Sequence, residues 1–455
     1  MDIKISGKSY CNSESKLIDD ITFFLQRFFS AADASYMVKS KIKYAHGNLK
    51  IGKLSFNLRD YGRIFVIGGG KATQLMAKGL EEVLGEDIFA GIVNIPYYAP
   101  ETVRCKKIEM NRASHPLPDS NGVKGVERML NMINKPSEDD LIICLISGGG
   151  SSLLAMPHDL ITLDEKREVT DALLKSGADI SELNIVRKHL SKVKGGRLAE
   201  MLYPATVLTL IISDVTGDKL DAIASGPTVP DSSTFLDAKK VMEKYSVWSK
   251  APESVKRLIE AGIEGREKET PKPGSSTFSR VHNIVIGNNM LPCKAVIKAA
   301  KQKGYNALLL TTRASGEART IGEFVSSIIL DTRNVGIPME RPAVFVIGGE
   351  TRVTVTGRGK GGRNQEVALS ASISIKGYDG IAIASVASDG VDGPTDAAGA
   401  VALGSTVIRG EEAGLDAQVF LLNNDSYSFF EKVGGLVITG PTGTNVNDVI
   451  IGVSL

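Results

Sequence analysis

Apolar side chains follow two periods along this chain. Near the start, Leu17, Ile18, Ile21, Phe24, Leu25, Phe28 and Phe29 recur at helical spacing and predict an amphipathic helix, with a second helix near Ala34 to Ile42. The runs RIFVI (63–67), LIICLI (141–146) and TVLTLII (206–212) are instead continuously apolar and rich in β-branched residues. Strands of that kind are buried on both faces, and each is followed by a glycine-bearing turn and then a helical pattern. Helices are expected from about Ala72 to Leu84 and from Leu153. Strand, loop and helix units in this order predict a mainly parallel, helix-covered sheet.

The segment 262–280, charged and rich in Pro, Gly and Ser, reads as a linker. After it NIVIGNN opens a new unit, in which Pro292 suits the first position of the helix CKAVIKAAKQKG. YNALLLTT is the next strand. AVFVIGGETRVTVTGRGKGGRNQEVAL gives strand, turn, strand, basic loop and helix. IAIASV is a further strand, and LVITGPTGTNVNDVIIGV closes the chain as two strands around a loop. A chain of 455 residues exceeds one ordinary core, so two domains are expected, 1–280 and 281–455.

Composition narrows the class. Lys plus Arg is 54 against 52 for Asp plus Glu, which leaves no global basic field for nucleic acid. No apolar run reaches membrane-spanning length and MDIKISGKSYCNSESK lacks a signal-peptide core, so no membrane association and a cytoplasmic setting are expected. Cys11, Cys105, Cys144 and Cys293 form no C-x-x-C pair, and the histidines show no zinc spacing. Trp248 and the N-terminal phenylalanines read as core. Gly is the excess, at 47 residues, and it gathers in short runs after strands.

Those runs carry the candidate chemistry. A glycine-rich turn between a strand and a helix offers bare N–H groups to phosphate. SGGGSS (147–152) fits a nucleotide-phosphate cradle made by Ser147, Gly148, Gly149, Gly150, Ser151 and Ser152. GGGK (68–71) sets Lys71 at the same edge but departs from the P-loop template, with Phe65 and Ala72 where Gly and Ser/Thr are required. GRGKGG (357–362) matches G-x-G-x-x-G, yet Arg358, Lys360 and Arg363 point to an anion other than a dinucleotide, and Arg363 suits a bidentate clamp. SDVTGD and SDGVDGPTD place Asp214 and Asp389 at strand ends, where each suits Mg2+ or the proton of an alcohol; Asp218, Asp392 and Asp396 read as structural. In RKHLSKVKGGRLA the cations Arg187, Lys188, His189, Lys194 and Arg197 cannot share one face, and Arg187 or Lys194 is the candidate for a substrate carboxylate. His115, in the rigid turn SHPLPD, reads as a packing residue.

VIGGGKAT, SHPLPD, LISGGGSSLLAMP, LNIVRKHLSKVKGGRLA, IISDVTGDKLDAIASGPT, IGNN, GGETRVTVTGRGKGGRNQE, SDGVDGPTDAAGA and TGPTGTNVND, in that order over about residues 63–450, together resemble the glycerate kinases of the MOFRL class. The resemblance implies an α/β fold with a Rossmann-like parallel-sheet N-terminal domain, a smaller α/β C-terminal domain and a cleft between them. It implies ATP- and Mg2+-dependent phosphorylation of D-glycerate, with the 2-hydroxyl favoured and ADP released, in carbohydrate metabolism of the Entner–Doudoroff kind. Homodimerisation is left open. The family's functional lysine falls on Lys71 and its arginine on Arg363. Taken with the residue chemistry above, Lys71, Arg363 and Asp214 are catalytic candidates, and Lys71, Arg187, Lys194 and Arg363 substrate-binding ones. Asn288 joins SGGGSS for ATP, and Asp214 and Asp389 are the metal candidates, their roles exchangeable. Two rival functions remain at this stage: a nicotinamide-dependent hydroxypyruvate reductase, and a non-catalytic nucleotide or sugar-phosphate sensor.

Overall fold

Six strands build one sheet: β1 (Arg63–Gly69), β2 (Ala90–Pro96), β3 (Ile108–Ala113), β4 (Asp140–Ser147), β5 (Thr206–Ile212) and β6 (Val281–Gly287). In the computed structural model, which describes residues 3–7 and 12–455, they lie in the order 6-5-4-1-2-3. Every pairing from β3 across to β5 is parallel. All eight residues of β4 and all seven of β5 are buried, as a strand covered by helices on both faces requires. Phe65, Ile142, Cys144 and Val207 sit in its core with Val126 and Met129 of the helix Ser120–Ile133. This is the doubly wound Rossmann order, and the direction of winding reverses between β1 and β4.

The chain forms two units, Ala34–Ile286 and a second made of Met1–Asp33 together with Gly287–Leu455. That corrects the contiguous division at 280/281. NIVIG is the last strand of the first sheet, and the helix Asn12–Ala32 belongs to the second unit. Its Leu17, Ile21, Phe24, Leu25 and Phe28 are buried against Val296, Val344, Val346 and Ile451, and the Phe24 and Tyr305 rings meet edge to face at 5.8 Å. The expected linker is no linker either. Glu269 accepts from the Phe235 amide at 2.7 Å and lies 3.3 Å from His189, and Thr270 donates to buried Asp231 at 3.0 Å, which strap the segment onto the first unit.

The second unit carries a seven-stranded sheet in the order Lys4–Ile5, Leu436–Ile438, Gly399–Leu403, Ile381–Ala387, Asp448–Ser454, Ala343–Gly349, Asn306–Ala314. Only Asn306–Ala314 with Ala343–Gly349 is a parallel pair. The strand expected after GGET is absent there: Arg352 makes one isolated bridge to Glu317. Pro292 lies at the third helical position, since the helix spans Met290–Gln302. Among the described residues the cysteines 105, 144 and 293 are free thiols, while Cys11 lies outside them. No described helix is long and apolar enough to cross a membrane.

Candidate active site

The carboxyl ends of β1 and β4 flank the switch point, and they carry GGGK and SGGGSS side by side. The two turns are built into each other. The Lys71 amide donates to the Gly148 carbonyl at 2.8 Å, and the Ala72 amide donates to Ser147 Oγ at 3.0 Å. Gly149 adopts a left-handed conformation (φ 79°) as the cap of a single helical turn, Gly150–Leu153, so the longer helix expected from Leu153 is reduced to that turn. A side chain at Gly149 would stand 2.9 Å from the His115 ring and 3.1 Å from Lys71 Cγ; one at Gly148 would overlap the Asp214 carboxylate. Lys71, His115 and Asp214 therefore converge on this one loop. Ser151 Oγ lies 3.1 Å from Ser225 Oγ, and Ala224 and Ser225 both hold positive φ (51° and 60°), a strained stretch of the kind found where a site is over-determined by its surroundings.

Among the described residues no backbone carbonyl of a turn or loop accepts from the amides of Gly148, Gly149, Gly150 or Ser151. The GRGKGG loop is the opposite case. The Thr356 and Gly357 amides donate to Asn424 Oδ1, Arg358 to Asn423 Oδ1, Gly359 to the Asn423 carbonyl and Lys360 to Asp425 Oδ1. At the start of the helix Arg363–Ser374, the Asn364 and Gln365 amides are taken by buried Asp392 at 3.1 and 2.9 Å. Its glycines permit close backbone packing, and its donors are spent inside the unit, so it is no dinucleotide cradle. Asp392 is structural, as its sequence suggested.

Beside SGGGSS opens a cavity of about 320 Å³ lined by Gly149, Ser151, Ser152, Lys166, Arg187 and Lys194, with Pro116–Pro118 as an apolar wall. The basic run 187–197 is parted here. Arg187 and Lys194 line the cavity, Lys188 pairs with Asp231 at 3.2 Å, the His189 ring meets Phe235 edge to face at 4.7 Å, and Arg197 donates to the Lys268 carbonyl. Lys194 is wholly buried, with Nζ 3.4 Å from the Ala224 carbonyl. Burial, then repulsion from Lys166 and Arg187, pushes its pKa well below the ordinary lysine value. Burial also lowers Arg187. Lys166, 5% exposed, is pushed down to about 7 by burial and then by the Arg187 charge, and its Nζ has no hydrogen-bond partner. Two buried lysines and a half-buried arginine around one cavity make a receptor for an anion.

Sequence reading missed Lys166 and underrated His115. The signal for Lys166 was present: it occupies the apolar stripe between Leu163 and Val169/Leu173, where a lysine has no packing reason to be. His115 lines the cavity instead of filling the core.

The other expected site residues lie on the second unit. Asn288 follows β6, its carbonyl accepting from the Leu291 amide at 3.3 Å. Asp389 sits in the turn after Ile381–Ala387, its Oδ1 accepting from the Val391 amide at 3.2 Å. Arg363 opens its helix with its fork on Asp448 at 2.5 and 2.9 Å and on Glu350 at 3.1 Å. Burial works against that charge, but the hydrogen bonds and charge of Asp448 outweigh it and raise the pKa. No group of three His, Cys, Asp or Glu side chains suited to a metal occurs among the described residues.

Comparison with known proteins agrees with this architecture. The domain of unknown function DUF4147 matches residues 21–260 and the MOFRL family residues 343–448. A Pyrococcus horikoshii protein named glycerate 2-kinase is 44% identical over 93% of this chain and 94% of its own length. A Thermotoga maritima protein named D-glycerate 2-kinase is 47% identical over 86% of this chain and 90% of its own. The crystal structure of the Thermotoga maritima glycerate kinase matches with a TM-score of 0.86 at 43% identity, covering 97% of this chain and all of that one (100%).

Proposed function

The chain belongs to the DUF4147–MOFRL family of glycerate 2-kinases, and from that premise we propose that it transfers the γ-phosphoryl group of ATP to the 2-hydroxyl of D-glycerate, giving 2-phosphoglycerate and ADP. The observation that carries the reading is the pairing, at one switch point, of a glycine-rich strand-to-helix loop on which Lys71, His115 and Asp214 converge and a cavity walled by Lys166, Arg187 and Lys194. Phosphoryl transfer is mostly positioning and charge stabilisation, and those are what such a site supplies.

In this reading the amides and hydroxyls of 147–152 hold the ATP phosphates. Lys71, running along Gly149, neutralises the migrating phosphoryl group. Arg187 and Lys194 bind the glycerate carboxylate. The Asp214 carboxylate lies against Gly148 of the phosphate loop, an arrangement that repels phosphate unless a cation stands between them. That fits Mg2+, which typically takes one or two carboxylates and completes its shell with phosphate oxygens and water; when bound it would neutralise charge on the phosphates. The same carboxylate is the candidate acceptor of the hydroxyl proton. The role of Arg363 on the phosphoryl group or the carboxylate rests on the family resemblance, and those of Asn288 on ATP and Asp389 as metal ligand on their places just beyond strand ends. We place the enzyme in the cytoplasm, in carbohydrate metabolism of the Entner–Doudoroff kind.

The test supplies the protein with D-glycerate, ATP and Mg2+ and follows ADP release, with the product identified by phosphorus NMR. A signal for 2-phosphoglycerate is expected. Oxidation of NADH by hydroxypyruvate without ADP release would replace the kinase reading by the reductase one, and tight ATP binding without turnover of any three-carbon acid would favour a sensor.

A further inference from the structure

Lys166 breaks three rules at once. It is 5% exposed, yet its ammonium finds no hydrogen-bond partner in the protein. It lies in the first turn of the helix Leu163–Lys175, whose N-terminus is already capped by the reciprocal Thr162–Glu165 box, where a cation opposes the helix dipole. It also faces two more cations, and no acid compensates it. The charged or titratable groups that line the cavity with it are Arg187 from the helix Ile180–His189, Lys194 from the segment beyond, His115 from the loop before the helix Ser120–Ile133, and Arg167 and Asp171 from its own helix. Asp171 is paired with Lys175 at 2.6 Å, and Arg167 with Asp164 at 2.8 Å. A chain that tolerates so many local penalties on one residue is expected to recover them in function.

We propose that Lys166 is the specificity-determining receptor for the acceptor's carboxylate. On the glycerate-kinase reading, its buried ammonium takes one carboxylate oxygen while Arg187 and Lys194 hold the remainder, so a small hydroxy acid is admitted and a neutral polyol of equal size is refused. A carboxylate entering the cavity supplies the counter-charge that the protein withholds. A neutral ligand leaves these basic groups without a counter-charge, and a site built around a missing partner discriminates far more strongly than a merely tight one. Because burial and Arg187 bring the free ammonium's pKa down to about 7, seating the anion draws a proton onto Lys166 at slightly alkaline pH.

The experiment compares wild type with Lys166→Met, which keeps length and removes charge. At saturating ATP, the KM for D-glycerate is expected to rise about 10²-fold, with kcat within about 3-fold and the KM for ATP unchanged. The preference for glycerate over glycerol should fall by a similar factor. A glycerate KM that stays put overturns the proposal. So does a rise confined to the KM for ATP, which would assign the ammonium to the nucleotide phosphates, or a fall in kcat alone. Calorimetric titration of wild type with D-glycerate at pH 8, in two buffers of different protonation enthalpy, is the second arm. Proton uptake is expected, and its absence overturns the proposal even if the variant fails to fold. If wild type releases no ADP with glycerate, the kinase reading falls, and the titration repeated on Lys166→Met still decides: uptake lost in the variant assigns the proton to Lys166, and uptake kept in full overturns the proposal.

Discussion

Lys166 couples the site to stability. An unfolded lysine keeps its proton to about pH 10.5, whereas the folded one loses it near 7. Between those values the unfolded state binds more protons, so this residue's contribution makes the protein more stable as pH rises from about 7 to about 10.5. Below pH 7 the charge is carried at full penalty. Lys166→Met should therefore stabilise the fold by the order of 3–5 kcal/mol near pH 7, with the gain vanishing above about pH 10.5. Urea unfolding of both proteins at pH 7 and 9.5 checks this, and equal gains at both would contradict it. Lys71→Ala should lower turnover about 10²-fold and leave the urea midpoint where it is. Lys71 was legible in the sequence because a lysine after three glycines at a strand end has little structural reason. Lys166 left a trace as a lysine in the apolar stripe of its helix, but that its ammonium has no hydrogen-bond partner and shares a cavity with Arg187 and Lys194 shows only in three dimensions.

Two glycine loops that look alike in sequence behave differently as elements. In SGGGSS the space beside the backbone is filled by Asp214, Lys71 and His115. In GRGKGG it is filled by the backbone of Asn423 and Asp425 and by Asp392. Gly148→Ala should thus displace the Asp214 carboxylate and cut turnover about 10²-fold while the melting temperature moves by about 3 °C or less. Gly359→Ala should act through the fold, lowering stability by about 2 kcal/mol by overpacking. Calorimetry beside a turnover assay separates the two cases, and the reverse pattern would reverse their assignment. The first helix makes the same point for packing. Its stripe of Leu17, Ile21, Phe24 and Phe28 announced a buried face but not its partner, which is the second sheet. Phe24→Ala should cost about 3–5 kcal/mol in the second unit.

Across the whole molecule, each unit has its own core, and the second borrows its first 33 residues from the far end of the chain. A fragment of residues 287–455 is therefore expected to stay unfolded alone and to fold when residues 3–33 are fused to it, whereas 34–286 folds unaided; circular dichroism and amide dispersion would show it, and a folded 287–455 would refute it. The sequence by itself determined the continuously apolar strands such as Arg63–Gly69, Asp140–Ser147 and Thr206–Ile212, because such a run has few alternatives to a buried strand, and it determined the glycine turns that follow the first two, because bare backbone at a strand's end is a local property; the polar strand Ile108–Ala113 and the missing strand after GGET show where that signal fails. It also marked the family, through nine short segments in fixed order. Tertiary structure alone decided that NIVIG closes the first sheet, that 262–280 is a strap, and that Arg187, Lys194 and Lys166 share one cavity. Those facts rest on which groups meet across long stretches of chain, where burial and charge act through space and leave no periodic trace in the order of residues.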